Sequence, residues 1–397
     1  MNKLLLGTTT LVGAATLFAG AALAEVPKVT VGGTINFEAG IASDDQDSTT
    51  NPTGTPNSQR AQAFRNETRV NFKVDGKADN GLGYGALIEM LADTRDDVRD
   101  AGVTNAKRTF IYMEGGWGRF ELGSNTGTQS TMKIDAASIA RATGGIDGDW
   151  DRFANNLNAV QYAATPDLPI GYGLNQNTTG LGVENQENIN KITYYTPRWS
   201  GFQLGLNYSP NDRDRGQFTD RTDKSTGCAG TTGTLCRVQD VFGAGINWEG
   251  KWDQVGIGLA ATGELGNAEN NLYEDLRAWN VGTWVGMAGF KLAGSYGDWS
   301  DSMRLKADNA DDSSYWTVGG SYEWGPFGVS VTYLTSEYDV AATTTDNEFD
   351  NIVVGADYKL APGLTPYAEV SFYGQDAPGT SDDNDGTVFL IGTQLNF

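Results

Sequence analysis

The chain has 397 residues, 52 of them glycine and only 11 proline, and its 50 acidic against 28 basic side chains leave a formal charge of −22. A field of that sign repels phosphate backbones, which excludes nucleic acid as a partner. Histidine is absent, which removes Ser-His-Asp and Cys-His catalysis and the His-bearing zinc sites and leaves no cofactor implied.

In chain order, Lys3 precedes an uncharged apolar or small stretch over 4–20, and Ala22-Leu23-Ala24 supplies an A-x-A cleavage site. This pattern predicts a secretory signal peptide over 1–24, cut before Glu25, and a mature domain over 25–397. An anchor helix is disfavoured by the Gly and Thr within the apolar core. No later run of about 18 apolar residues suggests a membrane helix.

From residue 29 to the end the chain alternates with period two. Val70, Phe72 and Val74 alternate with Arg69, Asn71 and Lys73, and Tyr84, Ala86, Ile88 and Met90 alternate with Gly83, Gly85, Leu87 and Glu89. The same alternation recurs in Phe202-Leu204-Leu206-Tyr208, Phe242-Ala244-Ile246-Trp248, Val255-Ile257-Leu259-Ala261, Val329-Val331-Tyr333 and Ile352-Val354-Ala356-Tyr358. Each segment predicts a strand with one apolar face and one polar or glycine face. Tight links are expected near Asp79-Asn80-Gly81, Gly115-Gly116-Trp117-Gly118, Glu249-Gly250-Lys251, Gly325-Pro326 and Ala361-Pro362-Gly363. Long polar stretches over 43–61, 93–105, 210–237, 300–313, 339–348 and 374–386 lie between them.

Short turns alternating with long loops separate a transmembrane barrel from a soluble β-sandwich. A hydrophobic content of 39 % is low for an ordinary core of this size but suits a barrel that is wet inside. Trp117, Trp199, Trp248, Trp252 and Trp324 fall beside proposed short turns, as an aromatic girdle at a lipid–water boundary requires. Phe389, Ile391, Thr393, Leu395 and Phe397 alternate to the last residue, so the chain ends inside a strand that a closed barrel would pair with its first. Cys228 and Cys236 share a Gly/Thr-rich segment and are expected to pair in an oxidising compartment, with two free thiols as the alternative.

The whole mature chain resembles the Gram-negative general porins, particularly their alphaproteobacterial branch. The likeness rests on the first strand over 29–41, the hairpin over 69–90 around Asp79-Asn80-Gly81-Leu82-Gly83-Tyr84-Gly85, and 110–123 with Gly118-Arg119-Phe120-Glu121-Leu122-Gly123. It rests also on the strand–turn–strand over 190–209 and on the terminal Phe397. The resemblance implies an all-β transmembrane antiparallel barrel in the outer membrane, assembled as a homotrimer. It further implies a third extracellular loop folded inward as a constriction, and a terminal aromatic read by the barrel-insertion machinery. Roughly eighteen candidate strands can be drawn, within the range such barrels allow. The pair 158–165 with 170–175 is broken by Pro166 and Pro169. Assigning that pair to the inward loop leaves sixteen strands, the number expected here.

Strand parity places Arg65 and Arg69 with Asn71 and Lys73, and Arg119 opposite Phe120 and Leu122. Arginine on a lipid face costs a few kcal/mol near the midplane, so these three are expected in the lumen. Arg108 is assigned there too, although Lys107 is equally polar. After Gly123 the alternation fades, with a short helical turn expected over 132–142, and Asp135, Asp147, Asp149 and Asp151 follow in a Gly-rich setting. An acidic loop facing a basic wall would set a transverse field that favours polar solutes.

The function expected is therefore passive diffusion of small hydrophilic solutes and ions, with weak cation selectivity from the acidic outer loops. A substrate-specific channel on the same scaffold is the runner-up. A barrel protease or phospholipase would need histidine, and a soluble sandwich would not alternate its loops. Asp44-Asp45, Asp96-Asp97, Asp311-Asp312 and Asp382-Asp383 are assigned to outer loops, where divalent cations could bridge them to lipopolysaccharide. Simple solvation is favoured over that bridging. Asp383-Asn384-Asp385-Gly386 lacks the distal Glu of an EF-hand, so no metal site is expected.

Overall fold

The computed structural model describes residues 26–45, 60–93, 106–154, 189–211, 238–308, 313–338, 347–376 and 383–397. The expected signal segment, Cys228 and Cys236, the segment containing Pro166 and Pro169, and the pairs Asp96-Asp97 and Asp311-Asp312 lie outside those residues. Among the described residues no helix is long and apolar enough to cross a membrane. The chain crosses instead with strands.

Sixteen strands follow one another in order. They are β1 (Lys28–Asp44), β2 (Gln62–Lys77), β3 (Gly83–Leu91), β4 (Ala106–Gly115), β5 (Gly118–Ser124), β6 (Asn190–Tyr195), β7 (Phe202–Asn211) and β8 (Val238–Trp252). The second half comprises β9 (Val255–Ala268), β10 (Leu276–Met287), β11 (Phe290–Ser300), β12 (Ser313–Trp324), β13 (Phe327–Tyr338), β14 (Asn347–Tyr358), β15 (Leu364–Asp376) and β16 (Asn384–Asn396). Every strand pairs antiparallel with its sequence neighbours, and β16 returns to β1 to close the barrel. Closure leaves no unpaired sheet edge in the hydrocarbon layer, where an unsatisfied backbone group costs several kcal/mol. The expected sixteen-stranded all-β barrel is the observed fold.

The apolar face of the alternation points outward. Phe37, Ile41, Ile111, Leu206, Phe242, Leu292, Val331 and Ile391 are exposed, whereas Asn36, Glu38, Thr193, Glu264, Thr332 and Glu369, at the opposite parity, are buried inside. The outward band meets lipid. Near the short turns it ends in a run of stacked or tilted rings, Phe290–Tyr322–Trp324–Phe327–Tyr358, with centroids 4.0–5.6 Å apart. Near the long loops, Tyr208–Phe242, Trp279–Tyr296 and Trp316–Tyr333 form a second belt, where Tyr208 donates to Asp240 and Tyr333 to Asp350. Rings with a polar tip suit such boundaries.

The start of β1 and the C-terminal Phe397 lie on the short-turn side. Gly33 donates its N–H to the Phe397 carbonyl at 3.0 Å, and the Phe397 N–H donates to the Gly33 carbonyl at 3.1 Å. A side chain at Gly33 would run into the Phe397 ring, so that glycine makes room for the terminal aromatic.

Three boundaries differ from expectation. Glu249-Gly250-Lys251 lies inside β8, and the turn falls at Asp253-Gln254, because the Trp248 ring covers Gly250 and the strand runs on. A tight link at Ala288-Gly289, with φ of 52° and 89°, was not anticipated; positive φ at both central residues matches the strand twist. Asp44, expected in a solvated outer loop, ends β1, where it is buried and accepts a hydrogen bond from Tyr373 at 3.3 Å.

Candidate functional site: a loop inside the barrel

The 125–154 segment does not project outward. It runs along the inner wall, and its fixings advance from β7 round to β15 before returning to β13. The N–H and hydroxyl of Thr128, in the single-turn helix α1 (Thr128–Thr131), donate to Asn207 Oδ1 on β7, both at 2.7 Å. Gln129 reaches Glu264 on β9 at 3.2 Å. The Ala136 N–H donates to Thr317 Oγ1 on β12, and the Arg141 N–H to Ser330 Oγ on β13. Thr143 then donates twice to Glu369 on β15, and the Ile146 N–H to Thr332 Oγ1. The helical turn therefore lies just ahead of the expected 132–142 stretch, which instead holds a 3-10 turn at Ala137–Ile139.

Burial adds to these bonds. Ala136, Ile146 and Trp150 pack with Tyr315, Leu334, Phe349, Val353, Tyr373, Val388 and Leu390 in one apolar cluster inside the barrel. Trp150, 1 % exposed, stacks 6.1 Å from Phe349 and 5.6 Å from Tyr373, and its indole N–H donates to the Gly145 carbonyl. The inner faces of β13, β14 and β16 are thus locally apolar where the loop lies on them.

Because the loop hugs the wall from β7 round to β16, open space remains against β2 to β6. A recess of about 570 Å³ there has Arg65, Glu67, Arg69 and Lys107 on the wall side and Thr143, Asp147, Asp149 and Arg152 on the loop side. Arg65 spans the two, bonding Asp149 at 2.8 Å, Glu38 at 2.8 Å, and Glu67. Arg69 bonds the same Glu67 and lies 3.6 Å from Glu89. Arg108 donates to Glu89 through Nε at 2.6 Å, which settles its luminal parity. Arg119 lies 4.0 Å from the centroid of the Tyr112 ring and bonds Glu121 at 2.7 Å and Glu114 at 2.8 Å. It borders a second space, of about 910 Å³, toward the short turns.

The structure brings Arg65, Arg69, Asp147 and Asp149 around one opening and sets Arg108 and Arg119 beside the adjoining space. Asp151 lies against Arg152, its carboxylate 3.5 Å away. Asp135 is elsewhere: it is 4 % exposed, bonds Lys133 at 2.9 Å and caps the Ser138 N–H, so it holds the loop's own shape. Sequence reasoning overlooked Glu38, Glu67, Glu89 and Glu121, the carboxylates that hold the arginines. Glu67 shares parity with Arg65 and Arg69, and that signal could have found it.

Asp149 belongs to the loop rather than to a strand. Burial, with Glu38 beside it, pushes its carboxyl up to about 7 and outweighs the pull of Arg65. Its charge is consequently responsive near neutral pH.

A family model described as Gram-negative porin matches residues 8–378. An uncharacterized protein of Rickettsia conorii is 26 % identical over 378 residues, covering 81 % of this chain and 82 % of its own length. The fold is similar to that of the anion-selective porin from Comamonas acidovorans, with a TM-score of 0.60 at 15 % identity, covering 94 % of this chain and all of that one. It is also similar to in-vitro folded OmpT of Vibrio cholerae in its trimer form, with a TM-score of 0.54 at 11 % identity, covering 94 % and 100 % of the two chains. A closed sixteen-strand barrel narrowed by its own inward loop is a channel rather than an enzyme, and with the family match over most of its length the chain belongs to the Gram-negative porins of the outer membrane.

Proposed function

We propose that this porin is a general diffusion channel with weak cation selectivity, in which Arg65, Arg69, Asp147 and Asp149 border the constriction, with Arg108 and Arg119 lining the path beyond it. The observation that carries the reading is the pairing of every wall arginine with carboxylates. Arg65, Arg69, Lys107 and Arg152 at the opening face Glu67, Asp93, Asp147 and Asp149, and the buried Glu38 and Glu89 behind Arg65, Arg69 and Arg108 tip the surrounding balance to acid. Anion preference, the property named for the Comamonas porin of similar fold, would need the reverse balance. Polar groups on both sides of the opening support passage of hydrophilic solutes and discrimination against apolar ones.

The same reading has the first 24 residues removed on export and Cys228 paired with Cys236. It has three copies associating, as in the Vibrio trimer of similar fold, outer loops that meet lipopolysaccharide, and Phe397 serving insertion. Purified protein in planar bilayers under a salt gradient tests the central claim. Ohmic conductance with a reversal potential slightly on the cation side is expected. A strongly anion-selective channel would overturn it.

A further inference from the structure

Below the inward loop, on the inner wall opposite the arginines, lies a recess of about 500 Å³ that the diffusion reading does not use. Trp284 on β10 faces inward there, since its neighbours Val285 and Met287 are the exposed, lipid-side residues. The indole lies against the backbone of β9, and a Cβ at Gly258 would collide with it. Lys291 of β11 stands 5.4 Å from the ring centroid, and Lys251 of β8 lines the same space.

The charges in this recess do not cancel. Glu323 is held by Arg141, from the inward loop, and by Lys359 at 2.6 Å, while Arg141 also lies 3.8 Å from Asp357. That quartet is neutral. Lys251 and Lys291 form no ion pair with any described residue. Two uncompensated cations beside a flat aromatic face contrast with a chain of charge −22. An indole face attracts planar rings, and a lysine close to it supplies charge where the wall excludes part of the water.

We infer that Trp284, Lys251 and Lys291 form a binding station for small anions carrying a planar apolar ring, on the periplasmic side of the constriction. Short turns mark that side. Arg141 ties the station to the loop, so an occupant would sit at the exit of the constriction and obstruct current. The inference rests on the channel reading.

The test uses the whole protein in planar bilayers, with 2-naphthoate as probe and acetate as the ringless control. Naphthoate should interrupt the current, more often from the short-turn side than from the loop side, while acetate should not. Dwell times should fall at least threefold in Trp284→Ala and in the double variant Lys251→Gln/Lys291→Gln. They should stay unchanged in Lys28→Gln, which alters a lysine at the start of β1. The lysine pair keeps the test open should Trp284→Ala fail to insert. Normal potassium chloride conductance without naphthoate interruptions, or equal dwell times in all variants, would overturn the station and leave the channel reading intact. Absence of any conductance would defeat the channel reading, and the station with it.

Discussion

Glu67 lies between Arg65 and Arg69 and is bonded to both, so Glu67→Gln removes one negative charge from the opening while keeping the side-chain shape. An ion passing about 8 Å from that charge in water feels about 0.5 kcal/mol. Screening over a Debye length of about 10 Å at 0.1 M salt leaves about 0.2 kcal/mol. Cation and anion feel opposite signs, so their permeability ratio shifts by about 0.5 kcal/mol, or roughly twofold toward anions. At 0.01 M, where the Debye length is about 30 Å, the same arithmetic gives about fourfold. Arg69→Gln should move the ratio by a similar factor toward cations. Reversal potentials at both salt concentrations measure this directly. An unchanged potential in Glu67→Gln, or shifts of the same sign in both variants, would refute the placement of these charges on the permeation path.

Three further outcomes follow from the geometry. Trp150→Ala should cost about 3–5 kcal/mol of local packing and loosen the loop, read as larger current fluctuations and easier heat modification of the folded protein. Lowering the pH through about 7 should neutralise Asp149 and drift wild-type selectivity toward anions, because a raised carboxyl pKa means the charged form is lost first on acidification; Asp149→Asn should reduce that drift. Deleting Phe397 removes the paired contacts with Gly33 and should reduce folded barrel on a semi-native gel while total protein in pulse labelling is unchanged.

The barrel was legible because lipid enforces a rule on each strand. A side chain at the outward parity must be apolar, so Val70-Phe72-Val74 and Phe389-Ile391 announce both the strand and its orientation. Turn positions were less legible, since a glycine has two uses. Gly250 reads as a turn residue, yet it lies within β8 because the Trp248 ring needs the space above it. Gly289 is a true turn glycine at φ 89°. The ring two residues away on the same strand marks the first use and a positive φ the second, and the apolar–polar period by itself carries neither.

The constriction was half legible for a related reason. Arginines stand out on a strand because lipid forbids them, so parity alone assigned Arg65, Arg69 and Arg119 to the lumen. Their carboxylate partners are forbidden in lipid for the same reason, and Glu38, Glu67 and Glu89 occupy the same inward parity. What parity cannot give is which acid meets which base, because Glu38 and Arg65 meet across strands and Asp149 arrives from a loop. The docking of that loop did leave a mark. Leu334, Phe349, Val353, Val388 and Leu390 are apolar at inward positions, where a water-lined wall would be polar, and the three strands that carry them are among those on which Ile146 and Trp150 pack. Clusters of apolar residues on the wrong face of adjoining barrel strands therefore indicate where the lumen is filled by protein, whereas β2, with Arg65 and Arg69 inward, faces the part that stays open.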